Sequence, residues 1–307
     1  MTSNDSAIAS RTAVISTPAS GIRWGLTGVV AFSFTVVFTR IAVDGMSPLF
    51  VGAGRAVVAA ALAAMVLVAT RQRLPRGAQW GRLLVVAGGV VIGFPLLTSF
   101  ALQTAPASHG AVVIALLPAM TAVVVVIRTG ERPSRLFWIM AVAGAVAAVG
   151  FAAVGGAGAT GGFALHGSDA LLFAAVVAGA IGYAEGGKLS RELGSWQTIS
   201  WALVLVAPVM IALTAVSVGV EPPAATAAEW AAFGYLAVVS MFLGFFAWYR
   251  GLAIGPMARV SQVQLVQPVL SIVWAALILH EQLTWATVAG GAAVVLCAAV
   301  AVRARIR

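Results

Sequence analysis

Long runs of apolar residues, separated by short stretches rich in charge, proline or glycine, cover almost all of this 307-residue chain. About 20 apolar residues in a helix cross the roughly 30 Å hydrocarbon core of a bilayer. The runs predict ten transmembrane helices near residues 22–41, 48–70, 81–102, 108–127, 135–154, 169–187, 196–219, 229–249, 257–279 and 284–302. Little sequence remains for a soluble domain, so the chain is expected to be an all-α integral membrane protein.

The pattern repeats itself with an offset of 150 residues. The positions that recur are Leu102, Pro106, Pro118, Glu131 and Ser134, which match Leu252, Pro256, Pro268, Glu281 and Thr284. Each half holds five predicted helices, and because five is odd the second half enters the membrane from the opposite side. The sequence therefore predicts two inverted five-helix repeats, 21–154 and 169–302, joined by a glycine-rich outer linker, 155–168.

The charges predict an orientation. Only 9% of the residues are charged, against 61% that are hydrophobic, and the net charge is +9. If the N-terminus is cytoplasmic, every lysine and arginine except Arg40 and Arg55 falls in an inner segment. Both ends are then cytoplasmic, as a flexible tail over 1–20 and a basic tail over 303–307. The basic charge thus indicates orientation in a membrane rather than nucleic-acid binding, and the Ala/Val/Arg-rich composition favours a bacterial cytoplasmic (inner) membrane.

Segments 101–150 and 249–300 resemble the two copies of the EamA-like domain of the drug/metabolite transporter superfamily. The resemblance rests on the thirteen-residue spacing from Pro118 to Glu131 and from Pro268 to Glu281, on small residues at the helix starts, and on Arg55. It implies ten helices in inverted five-plus-five repeats. It also implies the transport of small metabolites, very often outward.

Prolines mark candidate hinges within the predicted helices. Proline has no N–H, so Pro118 and Pro268 are expected to free the carbonyls of Ile114 and Gln264 near the bilayer midplane. Either a substrate or a neighbouring helix would satisfy these carbonyls, which makes each kink a hinge or a packing feature. Pro95 is a third candidate hinge.

Polar side chains inside the apolar runs are the candidate substrate ligands, because such groups cost free energy unless they face a partner or a wet cavity. These candidates are Arg55, Ser99, Tyr183, Ser240, Ser261, Gln264 and Gln267. Arg55 could bind a substrate carboxylate with two parallel hydrogen bonds, or serve as a structural partner of helix carbonyls or Asp44. Ser261, Gln264 and Gln267 follow one stripe of a helix, and the alternative role for this stripe is hydrogen bonding between helices.

Three carboxylates have different predicted roles. Glu131 and Glu281 lie before the last helix of each repeat, where fixing the loop and the helix start is favoured over transport chemistry. Glu185 is a candidate for proton coupling, with an ion pair to Lys188 as the alternative.

Together these features predict a secondary transporter, independent of ATP, that exports small polar metabolites such as amino acids by alternating access. A permease for drugs or toxic compounds is the alternative, and a channel or a membrane scaffold is a weaker one. An enzyme is not expected, because the three histidines form no HExxH or paired metal spacing, and no cofactor is implied. The expected partners are a small-molecule substrate and the lipid bilayer, with no nucleic acid, and a homodimer is left open.

Overall fold

The computed structural model describes residues 18–130, 132, 134–155, 165–255, 260 and 263–305, and within these ranges the regular structure is helical. Nine of the described helical segments are long and apolar enough to cross a membrane, and a shorter apolar helix lies between the last two. In chain order the segments are α1 Ser20–Gly45, α2 Pro48–Ala69, α3 Gln79–Leu102, α4 Ala107–Arg128, α5 Arg135–Val154, α6 Gly167–Leu193, α7 Ser195–Val220, α8 Ala227–Ile254, α9 Val266–Ile278 and α10 Trp285–Ala304.

The predicted helices agree with these bounds to within a few residues for seven of the ten. The exceptions are α6 and α8, which run six and five residues past their predicted ends, and α9, which begins nine residues after its predicted start. The predicted segment 257–279 is represented by α9, and its first part lies largely outside the described residues. The N-terminal tail up to residue 17 and linker residues 156–164 also lie outside them.

Several segments are interrupted near their middle. The regular helix of α1 stops at Ser33 and resumes at Thr35, and that of α4 stops at Ile114 and resumes at Leu117. Segments α3 and α8 each contain a π-helical stretch, Ala87–Gly93 and Leu236–Leu243. These two stretches occupy equivalent positions of the two repeats, and such stretches frequently mark functional sites.

The two repeats pack through a symmetric set of helix pairs. Pairs with extensive contact include α1 with α8, α3 with α6, α4 with α6, α1 with α9, α2 with α7, α4 with α9 and α5 with α10. Each pair joins one repeat to the other, and exchanging the repeats reproduces the same set. This is the pattern of a pseudo-two-fold relation.

Equivalent helices of the two repeats run in opposite directions. The hydroxyl of Ser47, at the start of α2, lies 2.6 Å from that of Ser217 near the end of α7. At the other end of the same pair, Gln197 Nε2 donates to Gln72 Oε1 at 3.3 Å. Because α2 and α7 are counterparts, the pseudo-two-fold axis reverses the chain direction.

The two ends of the bundle differ in charge. One end, called here the arginine-rich end, carries Arg71, Arg73, Arg76, Arg82, Arg128, Arg191 and Arg250. The opposite end, called here the acidic end, carries Asp44, Asp169, Glu221, Glu229 and Glu281. This separation follows from the alternating direction of consecutive helices.

Candidate functional site

A central cavity lies where the two repeats meet, between α1, α2, α3, α6, α8 and α9. It has a volume of about 30 Å³. That is room for about two water molecules, so the cavity is too small for a metabolite in this conformation. Its lining residues are Phe32, Thr35, Val36, Arg55, Val90, Phe94, Pro95, Gly179, Tyr183, Ser240, Met241, Phe245 and Gln267.

Arg55 is the charged residue in the cavity wall. It lies about two turns into α2 and is only 1% exposed. Its Nε and Nη2 atoms have no hydrogen-bond partner among the described residues. The ion pair between Arg55 and Asp44, offered as an alternative from the sequence, is not formed, because Asp44 pairs with Arg40 on its own helix. A buried guanidinium without an anion is unfavourable, so the site is suited to an anionic group that enters the cavity.

A smaller cavity of about 10 Å³ continues from the central one to the interruption in α4 and the start of α9. Its lining residues are Val36, Ala111, Ile114, Leu117, Pro118, Gln264, Gln267, Pro268 and Ser271. Gln267 lines both cavities. Gln264 Nε2 and Gln267 Oε1 lack hydrogen-bond partners within the described part of the chain, which leaves one amide donor and one amide acceptor available. Ser261, the third residue of the predicted stripe, lies outside the described residues.

Pro118 and Pro268 occupy the first turn of regular helix that follows each irregular stretch. The helix over Leu117–Thr129 has Pro118 in its first turn, and Gln264 and Leu265, directly before Val266, form a turn rather than regular helix. Both prolines line the smaller cavity. Each proline therefore lies next to an irregular stretch, and the role of Pro118, Pro268 and Pro95 as hinges stays a prediction.

The interruption in α1 is held by hydroxyl and indole groups. Ser271 Oγ donates to the carbonyl oxygen of Ser33 at 2.7 Å, and Trp274 Nε1 donates to Ser33 Oγ at 2.9 Å. On the cavity side, the hydroxyls of Thr35 and Ser240 lie 2.8 Å apart. Neither Ser33 nor Thr35 stood out in the sequence, because a hydroxyl in an apolar helix gives no signal of a helix break.

Aromatic side chains form the remaining wall of the central cavity. The Tyr183 ring centroid lies 6.4 Å from that of Phe32 and 5.9 Å from that of Phe245, and the Phe32 and Phe245 centroids are 5.0 Å apart. Tyr183 is thus part of the cavity wall. Ser99 is not, because it is fully buried and its hydroxyl donates to the carbonyl oxygen of Pro95.

Glu185 closes the arginine-rich end of the bundle. Its carboxylate pairs with Arg82 and with Arg128, the latter at 2.7 Å, and so joins α6 to α3 and α4. The alternative prediction, an ion pair between Glu185 and Lys188, is wrong for this conformation. The sequence favours Lys188 because it lies three residues from Glu185 on the same helix. Arg128 and Arg82 lie on other helices, 57 and 103 residues before Glu185 in the sequence.

Glu281 closes the acidic end. Its two carboxylate oxygens accept hydrogen bonds from the backbone N–H groups of Ala107 and Ser108, at 2.7 and 2.8 Å. A carboxylate at the N-terminus of α4 is also favoured by the helix dipole. Next to this contact, His109 Nε2 lies 2.6 Å from Asp169 Oδ1 and joins α4 to α6. Glu281 therefore fixes a helix start, but that of the opposite repeat.

Replacing Glu281 with glutamine is expected to lower stability by about 1–3 kcal/mol, because an amide has one acceptor oxygen for two N–H groups and loses the charge. Thermal unfolding of the purified protein in detergent measures this loss. Glu221→Gln is the matched control, since Glu221 is an exposed carboxylate at the same end. Equal melting temperatures for the two variants would contradict this role of Glu281.

Two antiparallel repeats around a central cavity with buried polar groups are the architecture of a membrane transporter. The model of the EamA-like transporter family matches residues 19–153 and 167–303, so the chain belongs to that family. The uncharacterized transporter YdeK of Bacillus subtilis (strain 168) is 45% identical over 287 residues, covering 91% of this chain and 96% of YdeK. A solved crystal structure with 20% identity covers 95% of this chain and 99% of its own with a TM-score of 0.64, and shares the fold. The protein is therefore a multi-pass transmembrane transporter.

Proposed function

We propose that the protein is a secondary transporter that exports a small carboxylate-bearing metabolite, such as an amino acid, across the bacterial cytoplasmic membrane. The observation that carries this proposal is Arg55. It is buried in the wall of the central cavity, with two guanidinium nitrogens that no described residue satisfies.

The lining of the cavity matches the parts of such a substrate. A carboxylate accepts two parallel hydrogen bonds from Arg55. Gln267 and the hydroxyls of Thr35 and Ser240 offer neutral hydrogen-bonding groups nearby. Gln264, in the adjoining smaller cavity, adds an amide donor to the proposed site. The aromatic wall around Tyr183 offers an apolar surface to the remainder of the molecule.

The contacts at the two ends support alternating access. The ion pairs of Glu185 close the arginine-rich end, and the hydrogen bonds of Glu281 close the acidic end. In the proposed cycle the two closures open in turn, with the arginine-rich end facing the cytoplasm. The irregular stretches in α1 and α4 and before α9 lie beside the cavity and provide the hinge regions.

The sequence contains no Walker A motif, so a solute or ion gradient drives transport.

An untargeted comparison of metabolites released by bacteria tests the proposal. Cells that express the intact protein are compared with cells that express Gln264→Leu at matched membrane levels. Gln264→Leu removes the unpaired buried donor Nε2. We expect it to reduce release of the exported solute by about tenfold or more, while insertion of the protein into the membrane is unchanged. Gln103→Leu is the control, because Gln103 is exposed beyond the end of α3. Identical release profiles for the intact protein and Gln264→Leu would contradict the proposed site.

Efflux of drugs or toxic compounds is the second candidate. The aromatic wall formed by Phe32, Tyr183 and Phe245 favours it, since flat apolar molecules stack on such surfaces. Survival of the same cells on a panel of aromatic toxic compounds separates the two functions. Protection that persists in an Arg55→Gln variant would favour efflux of uncharged compounds over carboxylate export.

A further inference from the structure

A second, larger groove lies at the arginine-rich end, away from the central cavity. It has a volume of about 950 Å³ and is formed by α1, α8 and the turn that joins α6 to α7. We propose that this groove, called here the lateral groove, binds an anionic phospholipid. This site is independent of the transported substrate.

Two arginines supply the charge of the lateral groove. Arg191 and Arg250 both line it, and both are exposed. Neither forms an ion pair with a carboxylate of the described residues, and Arg191 Nη2 donates a long hydrogen bond of 3.4 Å to the carbonyl oxygen of Leu252. The Arg250 guanidinium lies 5.3 Å from the ring centroid of Trp24, an arrangement that holds the side chain over the groove. The part of the groove nearest the arginine-rich end therefore presents two positive charges that no carboxylate of the described residues neutralises.

The other end of the groove is apolar. Leu243, Phe246 and Ala247 line it and precede Arg250 on α8 by three to seven residues. At 1.5 Å per residue, Leu243 lies about 10 Å along the axis of α8 from Arg250. Leu243 is 47% exposed, so this surface faces outward from the bundle rather than into its core.

A cationic end above an apolar trough matches an amphiphile with an anionic head and an acyl chain. Basic pockets between helices at the cytoplasmic side of membrane proteins bind anionic lipid headgroups in this way. Trp24 and Trp196 line the groove near the charged end, where tryptophan side chains favour the headgroup region. A free phosphate would satisfy the arginines but leave the apolar trough empty.

The test uses the purified full-length protein and native mass spectrometry. The protein is incubated with phosphatidylglycerol, with phosphatidylcholine of the same acyl chains, and separately with inorganic phosphate. The intact protein is expected to retain phosphatidylglycerol about tenfold or more over phosphatidylcholine, since each arginine near an anionic lipid surface contributes about a factor of five. The Arg191→Gln, Arg250→Gln double variant should lose this preference.

Two further variants separate the lateral groove from general surface charge and from misfolding. Arg73→Gln, Arg76→Gln removes the same charge from the same end outside the groove and should keep the preference. Thr27→Trp places a bulky indole ring in the groove from the exposed face of α1, leaves both arginines intact, and should reduce the amount of bound lipid. The proposal is overturned if both arginine pairs have equal effects, if Thr27→Trp binds lipid normally, or if inorganic phosphate displaces the lipid at equal concentration. None of these outcomes depends on which substrate is transported.

Discussion

Arg55→Gln is expected to abolish transport while leaving the protein as stable as before or more stable. Loss of a buried charge that pairs with a substrate carboxylate costs about 2 kcal/mol or more, which corresponds to a fall of about thirtyfold or more in transport efficiency. Flux of the exported solute in reconstituted vesicles measures this change. Because no described residue partners Nε or Nη2 of Arg55, removing the charge also removes an unfavourable burial from the folded protein.

Thermal unfolding distinguishes this role of Arg55 from a structural one. A structural arginine would lower the melting temperature when replaced, with flux falling only as folded protein is lost. Arg40→Gln is the matched control, since Arg40 lies in the neighbouring helix and pairs with Asp44 at the surface. A lower melting temperature for Arg55→Gln together with normal flux per folded molecule would refute the assignment.

Gly89→Val is expected to prevent α3 from packing against α6. A Cβ atom on Gly89 would lie 2.5 Å from the carbonyl oxygen of Ala178 and 2.7 Å from the Cα atom of Gly182. Both are backbone atoms, so the helices must separate, and the loss should exceed about 3 kcal/mol. The yield of monodisperse protein and its melting temperature in detergent measure the effect.

Gly88→Val is the control for this effect, because it adds the same side chain at the preceding residue. A Cβ atom on Gly88 meets no atom within 4 Å. A valine there should leave the yield and melting temperature nearly unchanged, apart from the small cost of a β-branched residue in a helix. If the two variants are equally unstable, the cost belongs to the local helix rather than to the contact between α3 and α6.

Much of the fold could be predicted because membrane insertion leaves strong signals. The lengths of the apolar runs predict the positions of the transmembrane helices. The constant offset between matching residues such as Pro118 and Pro268 reveals the duplication. The spacing of Gly89 and Gly93 indicates a close helix contact, which the structure contains. The π-helical stretches and the interruption at Phe34 could not be predicted, since they depend on contacts between helices rather than on local sequence.

The candidate site was only partly predictable. Rare polar residues in apolar helices drew attention to Arg55 and Gln267, and the structure brings both to one cavity. Sequence could not tell Ser99, which bonds to its own helix, from Ser240, which lines the cavity. It also could not identify the partners of Glu185, because the ion pairs join residues that are distant in the chain.

The polar groups of the central cavity are divided unequally between the two repeats. Arg55 comes from the first repeat, and Gln267 comes from the second, where its counterpart in the first is Leu117. Duplication thus freed each copy to lose or gain ligands without disturbing the shared scaffold. Neither copy alone carries a complete recognition surface, and specificity can evolve by changing residues in one copy while the other preserves the architecture.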